Sequence, residues 1–482
     1  MQGIKLFSGE QIPLEMHKVR IVQKLTLPTV ERRLEAIDEA GNNTFLLTNK
    51  DIFLDMITDS GVNAMSDNQV ASMLRADDSY AGSATFTRLK ESVQKFFRKK
   101  YLLPAHQGRA AENIISRALV SEGKYVITNY HFTTSKAHVN LNGGEMLEAI
   151  NPNSLKVTSN ELFKGNMDIE MLKGFIAEKG RENIAFVRLE AGTNLIGGQP
   201  FSLANLKEVK KVCLEFNIPM VLDASLLGDN LYFIKVREEA YKNSSIDEIL
   251  EEISALFDII YFSARKLGGA RGGAICFDSD EYFYKMRELV TIYEGFLTYG
   301  GMSVREMEAI AVGLEETLDF DNICQGPQFI EYMTNELLKA GVPVVTPSGG
   351  LGCHIDAMEF LSHVPREEYR AGALASAIYI ASGCRGMERG TLSEDRNKDG
   401  SEHLANMELV RMAMPRRVFT LSQVKYIVDR IVWLYQNREL IGGLKFVEEP
   451  KNLRFFLGKL APTSNWQEKL AQKYKEDFKG SL

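Results

Sequence analysis

Between about residue 90 and residue 280, apolar runs of strand length alternate with amphipathic stretches of helical length. This constrains the fold strongly: strands buried on both faces read as unbroken apolar runs, and parallel neighbours need a crossover, usually a helix, between them. The runs predict strands over 125–129, 184–190, 220–223, 259–263 and 274–277. The intervening segment 202–216 places Leu203, Leu206, Val209, Val212 and Leu214 so as to give one apolar helical face, with Ser202 as its N-cap. An α/β fold follows, with a mostly parallel sheet covered by helices on both faces. From about Val304 the pattern becomes helix-rich, over 305–318, 367–383 and 422–442, with glycine-rich turns such as 347–350. The expected division is an N-terminal arm and part of a small domain over 1–60, a large domain over 61–310, a small α+β domain over 311–463, and a polar, loosely helical tail over 464–482. Residues 10–30 read as an arm or subunit contact.

Composition narrows the function classes. A net charge of −7 argues against a nucleic-acid or anionic-membrane surface and leaves small molecules or proteins as partners. The basic cluster 95–100 reads as a solvated helix face. No apolar run reaches the roughly 20 residues of a membrane helix, and residues 1–13 lack the order of a secretory signal, so a cytoplasmic location is expected. The five cysteines are far apart without C-x-x-C spacing, and the seven histidines contain no H-x-x-x-H pair. Neither a disulfide framework nor a zinc site is suggested. No glycine-rich nucleotide-phosphate motif occurs.

Two residues carry a specific chemistry. Lys266 follows the apolar run 258–263 and precedes a glycine-rich stretch, and Asp223 ends the run 218–223. Pyridoxal 5′-phosphate (PLP) needs such a pair: an amine to form a Schiff base with its aldehyde, and an acid to keep its ring nitrogen protonated. A third element is the turn His106-Gln107-Gly108-Arg109 opening a helical stretch, where backbone N–H groups, the helix dipole and the Arg109 charge can receive a phosphate.

The chain also carries the motifs 58–67 (TDSGVNAMSD), 80–83 (YAGS), 106–109 (HQGR), 194–200 (NLIGGQP), 232–235 (YFIK), 294–301 (EGFLTYGG) and 415–417 (PRR). In these, from about residue 28 to residue 456, it resembles the β-eliminating lyases, the family of tyrosine phenol-lyase and tryptophanase. The resemblance implies an aspartate-aminotransferase-like (fold type I) architecture, PLP as cofactor and a homotetramer. It further implies α,β-elimination of an aromatic L-amino acid. By position, it assigns Lys266 as Schiff-base amine and Cα base, Asp223 to the ring nitrogen, Asn194 to the phenolic oxygen, and Phe132 to stacking on the ring. The phosphate falls to Gln107, Gly108, Arg109 and Ser263. Tyr80 matches the acid that protonates the departing ring carbon, Arg411 the clamp on the substrate α-carboxylate, and Thr58 and Ser60 supporting contacts. Arg389, in the sequence Met387-Glu388-Arg389-Gly390, matches the arginine that binds a phenolic hydroxyl, with Thr133 and Phe455 lining the phenol pocket. Tyrosine, giving phenol, pyruvate and ammonia, is therefore the leading substrate. Tryptophan, a cysteine-type or a modified aromatic amino acid with a changed reaction remains an alternative, and so does a non-catalytic relative.

Four departures from the family pattern stand out. Leu226 replaces an arginine near the cofactor's phenolic oxygen, and Leu351 replaces a histidine, with His354 close by. Arg265 and Leu267 replace the lysine and aspartate flanking the PLP lysine. In the implied K+ site, Gly61 is retained but the ligand glutamate corresponds to Asp78. The loop after Lys266 is one residue shorter, placing Ala270 or Arg271 at another ligand position. From that spacing, an Arg271 guanidinium is expected to replace the monovalent ion.

Overall fold

The computed structural model describes residues 4–397, 399–451 and 453–479. The chain divides into two units, one of residues 60–154 and 161–327, the other of residues up to 59, 155–160 and from 328 onward. The first contains a seven-stranded sheet, here the sheet unit. In chain order its strands are β1 (Tyr101–Ala105), β2 (Tyr125–Thr128), β3 (Glu145–Glu148), β4 (Ile184–Glu190), β5 (Met220–Asp223), β6 (Ile259–Ser263) and β7 (Gly273–Phe277). Their spatial order is β1-β7-β6-β5-β4-β2-β3. Of the seven strands β7 alone runs against the common direction, pairing Gly273 with both Ala105 and Ser263. The remaining pairings are parallel.

Period-two alternation divides each strand between two buried layers. Val221, Ile259, Tyr261 and Phe277 pack with Ala111, Ile114 and Ile115 of one helix. On the other face Met220, Leu222, Ile260 and Cys276 pack with Leu203, Leu206 and Val209. The helix expected over 202–216 spans Leu203–Glu215, with the Ser202 hydroxyl accepting from the Asn205 N–H at 3.1 Å. Edge strands β1 and β3 escaped the sequence reading. In β1, Pro104 interrupts an otherwise apolar run, which an edge tolerates. Two of the four residues of β3 are glutamates, as a half-exposed edge permits.

Fold type I is matched in detail by what this topology does with strand ends. β1, β2, β4, β5 and β6 all point the same way, so residues 106–109, 129–132, 191–194, 224–226 and 264–266 emerge along one edge of the sheet. The carboxyl ends of parallel strands are where such sheets bind ligands.

The other, terminal unit is built on an antiparallel three-stranded sheet of β8 (Gly352–Asp356), β9 (Met387–Arg389) and β10 (Leu409–Ala413), in the order β8-β10-β9. A helix, Arg370–Ser382, is buried on all sides from Ala371 on. It begins after Tyr369, whose φ of +56° is left-handed, and stops at Gly383, φ +70°, a left-handed cap suited to glycine. The helix expected over 422–442 ends earlier, spanning Leu421–Gln436. The division between units falls after Pro327, inside the helix Phe320–Lys339, rather than near residue 310. The helix Val304–Glu316 accordingly belongs to the sheet unit.

The C-terminal segment is not a loose tail. It forms the helix Trp466–Asp477, with Trp466, Leu470, Ala471 and Tyr474 buried. Their spacing of three to four places an apolar stripe on one face, which the high polarity of the segment as a whole concealed. Among the described residues, no helix is long and apolar enough to cross a membrane.

Candidate active site

The helix Gly108–Leu119, here α1, starts directly after β1, with Gln107 extended at its N-cap (φ −171°, ψ 171°). A helix start leaves backbone N–H groups without intrahelical partners and carries a partial positive charge of about +0.5. A Cβ on Gly108 would lie 2.9 Å from the Ser263 Cβ, so glycine is what keeps this helix start open beside the end of β6. Arg109 is exposed at the same turn. The four residues expected at the phosphate, Gln107, Gly108, Arg109 and Ser263, thus meet at one open helix start, a cradle that an anion would fit.

Lys266 sits in the turn leaving β6, its backbone N–H donating to the Ser263 carbonyl at 3.1 Å. Its Nζ lies 5.8 Å from the centroid of the Phe132 ring, which caps the helix Thr133–Leu141 (α2) after β2. Thr133 is the first residue of that helix. Asn194 is buried after β4, and its backbone N–H donates to Glu190 Oε1 at 3.2 Å. Leu226 is also buried, its Cβ 3.0 Å from where a Cβ on Gly192 would stand.

Asp223 is the best-anchored carboxylate on this edge. Its Oδ2 accepts from Arg188 Nη2 at 2.7 Å and from the Tyr261 hydroxyl at 2.9 Å, and its Oδ1 from the Ser225 N–H at 3.0 Å. Around it stand two further carboxyls. Burial, joined by the Asp223 charge, pushes Glu112 up to about 7, and burial does the same to Glu190. These partners, Arg188, Tyr261, Glu112 and Glu190, were not singled out from the sequence. A signal existed, since two opposite charges two residues apart inside a doubly buried parallel strand must find internal partners.

Tyr80, before the helix Ala84–Phe97, is 72% exposed and packs its ring against Phe296 and Tyr299. A hydrogen bond to Tyr299 raises the Tyr80 pKa.

At the implied cation site, the Gly61 N–H donates to the Arg265 carbonyl at 3.0 Å, and Arg265 Nη1 lies 2.7 Å from where a Gly61 Cβ would be. Ser60 adjoins this turn, half-buried, while Asp78 is exposed. The guanidinium against Gly61 is thus that of Arg265, not Arg271. Arg271 instead turns toward Glu306, its backbone N–H donating to that carboxylate at 2.8 Å. The shortened loop leaves the Arg271 side chain 62% exposed. Among the described residues no cluster of three or more His, Cys, Asp or Glu could hold a metal ion.

In the terminal unit, Arg411 and Arg389 are buried on adjacent antiparallel strands, where Met387 pairs with Arg411 and Arg389 with Leu409. Arg411 Nη2 donates to the Ile57 carbonyl at 2.8 Å, next to Thr58. Burial first, then the Arg389 charge, pull the Arg411 pKa well down, with Asp59 opposing. The Arg389 charge thus acts against that of Arg411, and an anion placed there would relieve it. The Arg389 guanidinium lies 6.0 Å from the Phe455 ring centroid. His354 pairs with Arg411 across β8 and β10, and its Nδ1 meets the Gly352 carbonyl at 2.9 Å. Leu351 is buried with φ +69°, its carbonyl accepting from the Met414 N–H at 2.8 Å.

Residues 55–430 match the sequence model of a family described as beta-eliminating lyase. Tyrosine phenol-lyase of Symbiobacterium sp. (strain SC-1) is 41% identical over 452 residues, covering 93% of this chain and 99% of that protein. Tyrosine phenol-lyase of Pasteurella multocida (strain Pm70) is 40% identical over the same length, with the same coverage. Among solved structures, serine palmitoyltransferase of Sphingomonas wittichii superposes with a TM-score of 0.55 at 14% identity, covering 80% of this chain and 88% of that one. Leishmania major threonine aldolase superposes with the same score and identity, covering 79% and 99%.

Proposed function

The chain belongs to the β-eliminating lyases, and we propose that it is a PLP-dependent carbon–carbon lyase cleaving an aromatic L-amino acid, with L-tyrosine as substrate and phenol, pyruvate and ammonia as products. The observation that carries this is one strand-end edge bearing the Lys266 amine over the Phe132 ring, the anchored Asp223 carboxylate and an anion cradle at the start of α1. The donor set fits PLP: the cradle would hold its phosphate, Asp223 its ring nitrogen, Asn194 its phenolic oxygen and Phe132 a face of its ring. When bound, PLP supplies an aldehyde that joins amino groups and a ring that accepts electrons from Cα.

The chain's own residues then divide the work. Lys266 would hold the cofactor and, as a free amine, would take the proton from Cα. Asp223, as a carboxylate, keeps the proton on the ring nitrogen. Tyr80 delivers a proton to the departing ring carbon, which leaves only if that proton arrives as the bond breaks. Arg411 receives the substrate α-carboxylate through its planar fork, with Thr58 and Ser60 supporting. Arg389 donates to the phenolic hydroxyl, and Thr133 and Phe455 line the phenol pocket. A buried cation facing an indole would lose that partner, which disfavours tryptophan. We assign the activity to a cytoplasmic homotetramer, for which the exposed Phe7, Ile21 and Val22 suit contacts between copies.

The test mixes the PLP-loaded protein with a panel of amino acids and follows pyruvate release. Tyrosine is expected to give pyruvate and phenol in equal amounts. Release of pyruvate from another amino acid alone would transfer the assignment to that substrate. A second reading, a changed reaction on the same scaffold, draws on buried Leu226 and on Glu190 beside Asn194, which together make the surroundings of the phenolic oxygen less cationic. Under it tyrosine would perturb the absorbance of bound PLP without yielding phenol.

The Arg265 guanidinium against Gly61 takes the place of a monovalent cation in this account. Turnover in sodium buffer is expected to match turnover in potassium buffer, and strong stimulation by potassium would refute the substitution.

A further inference from the structure

We propose that Arg188 is a positioning residue for the acid that faces the cofactor ring: its guanidinium and the Tyr261 hydroxyl grip one oxygen of Asp223 and fix that carboxylate in place for the ring nitrogen. The inference rests on the PLP reading above, and its test separates the two.

Arg188 lies in the middle of β4 and is 2% exposed. Its Nη2 donates to Asp223 Oδ2 at 2.7 Å, and its Nε to the Tyr261 hydroxyl at 2.9 Å. That hydroxyl spends its single proton on the same Oδ2, at 2.9 Å. The three side chains close a triangle across β4, β5 and β6. The Ser225 N–H takes a third acceptor position of Asp223, on Oδ1. A carboxylate offers about four such positions, so one remains for a protonated ring nitrogen. Two charge-assisted or phenolic grips on one oxygen leave the carboxylate little freedom to turn away.

Arg188 also sets a charge balance. Because it is paired with Asp223, the two together are neutral, and the charge of a pyridinium must be matched by another group. Glu190, from the same strand, has Oε2 3.5 Å from Arg188 Nη1. Glu112, from α1, accepts from the Thr134 hydroxyl at 2.6 Å and stands 3.4 Å from the Tyr261 hydroxyl. Burial holds both near 7, with Asp223 raising each and Arg188 lowering each. The other charges on them are Arg109 for Glu112 and Lys266 for Glu190, both lowering. The sign follows. Above about 7 these carboxyls are anionic and favour a cationic ring, so PLP affinity should rise as pH rises through that value. Removing Arg188 deprives both carboxyls of a cation, raises their pKa, and moves the rise to higher pH.

The experiment measures PLP binding to the apo-protein by absorbance between pH 6 and 9, for the unaltered chain and for Arg188→Met, Arg188→Lys and Tyr261→Phe. Loss of a hydrogen bond to a charged group at Arg188→Met should weaken PLP binding by about tenfold or more. Its pH midpoint should move up by about one pH unit. Arg188→Lys, which keeps the charge but not the fork, should retain the midpoint while weakening binding, and Tyr261→Phe should weaken binding with the midpoint kept. A role limited to packing would lower thermal stability in Arg188→Met and leave affinity and midpoint alone, which would overturn the proposal. If Arg188→Met does not fold, unchanged affinity in both Arg188→Lys and Tyr261→Phe overturns it equally. No PLP binding by the unaltered chain would instead defeat the cofactor reading itself.

Discussion

Replacing Lys266 by alanine is expected to lower turnover of the accepted amino acid by on the order of 10⁴-fold, because in the proposed assignment one amine both tethers the cofactor and moves the Cα proton. The side chain emerges half-buried from a turn whose shape is fixed by backbone bonds, with the Lys266 and Leu267 N–H groups both donating to the Ser263 carbonyl. Deleting it therefore changes little of the packing, and the apo-protein should unfold within about 1 kcal/mol of the unaltered chain. PLP would still enter, held by the phosphate cradle and Asp223, but would dialyse away. Steady-state pyruvate release and thermal unfolding check the two halves together. Turnover within tenfold of the unaltered enzyme would remove Lys266 from its assigned role.

Arg411→Leu should show the opposite division between binding and chemistry. Leaving a buried charge without its ionic partner costs roughly 2–5 kcal/mol, so kcat/KM is expected to fall by roughly 10² to 10³, mostly through KM. Stability should not fall in step. Burial first, and then the charge of Arg389 on the neighbouring strand, pull the Arg411 pKa well down, so removing this cation relieves both its desolvation and that repulsion. The lost donation to the Ile57 carbonyl offsets part of that relief. A variant with unchanged KM for the amino acid would show that the α-carboxylate is bound elsewhere.

The fold was legible where burial on both faces forces unbroken apolar runs. β4, β5 and β6 were recoverable to the residue, and the Ser202 cap with them, because strand and cap chemistry are local. Edge strands were not, since Pro104 in β1 and the two glutamates of β3 are permitted only by a position at or near the sheet margin, which is a tertiary fact. The helical character of Trp466–Asp477 was legible, but its docking was lost to average polarity, although the stripe of Trp466, Leu470 and Tyr474 follows helical spacing.

The site shows the same division. Lys266 and Asp223 announce themselves as charged residues at the ends of apolar runs, and the HQGR turn as a helix start. What spacing along the chain could not give is the pairing across strands. Arg188 and Glu190 looked like interruptions of β4, and their meaning depends on Asp223 and Tyr261 from β5 and β6 lying opposite. The same limit explains the cation site. Counting residues placed Arg271 there, whereas the turn brings the Arg265 guanidinium to Gly61 and sends Arg271 toward Glu306.

Every assigned role depends on the Lys266 nitrogen carrying the cofactor. Borohydride reduction of the PLP-loaded protein, followed by proteolysis and mass mapping, tests that bond directly. The account predicts a single stable pyridoxyl adduct on the peptide containing Lys266, absent from Lys266→Ala; an adduct on a different lysine, or none on a protein that has bound PLP, would contradict it.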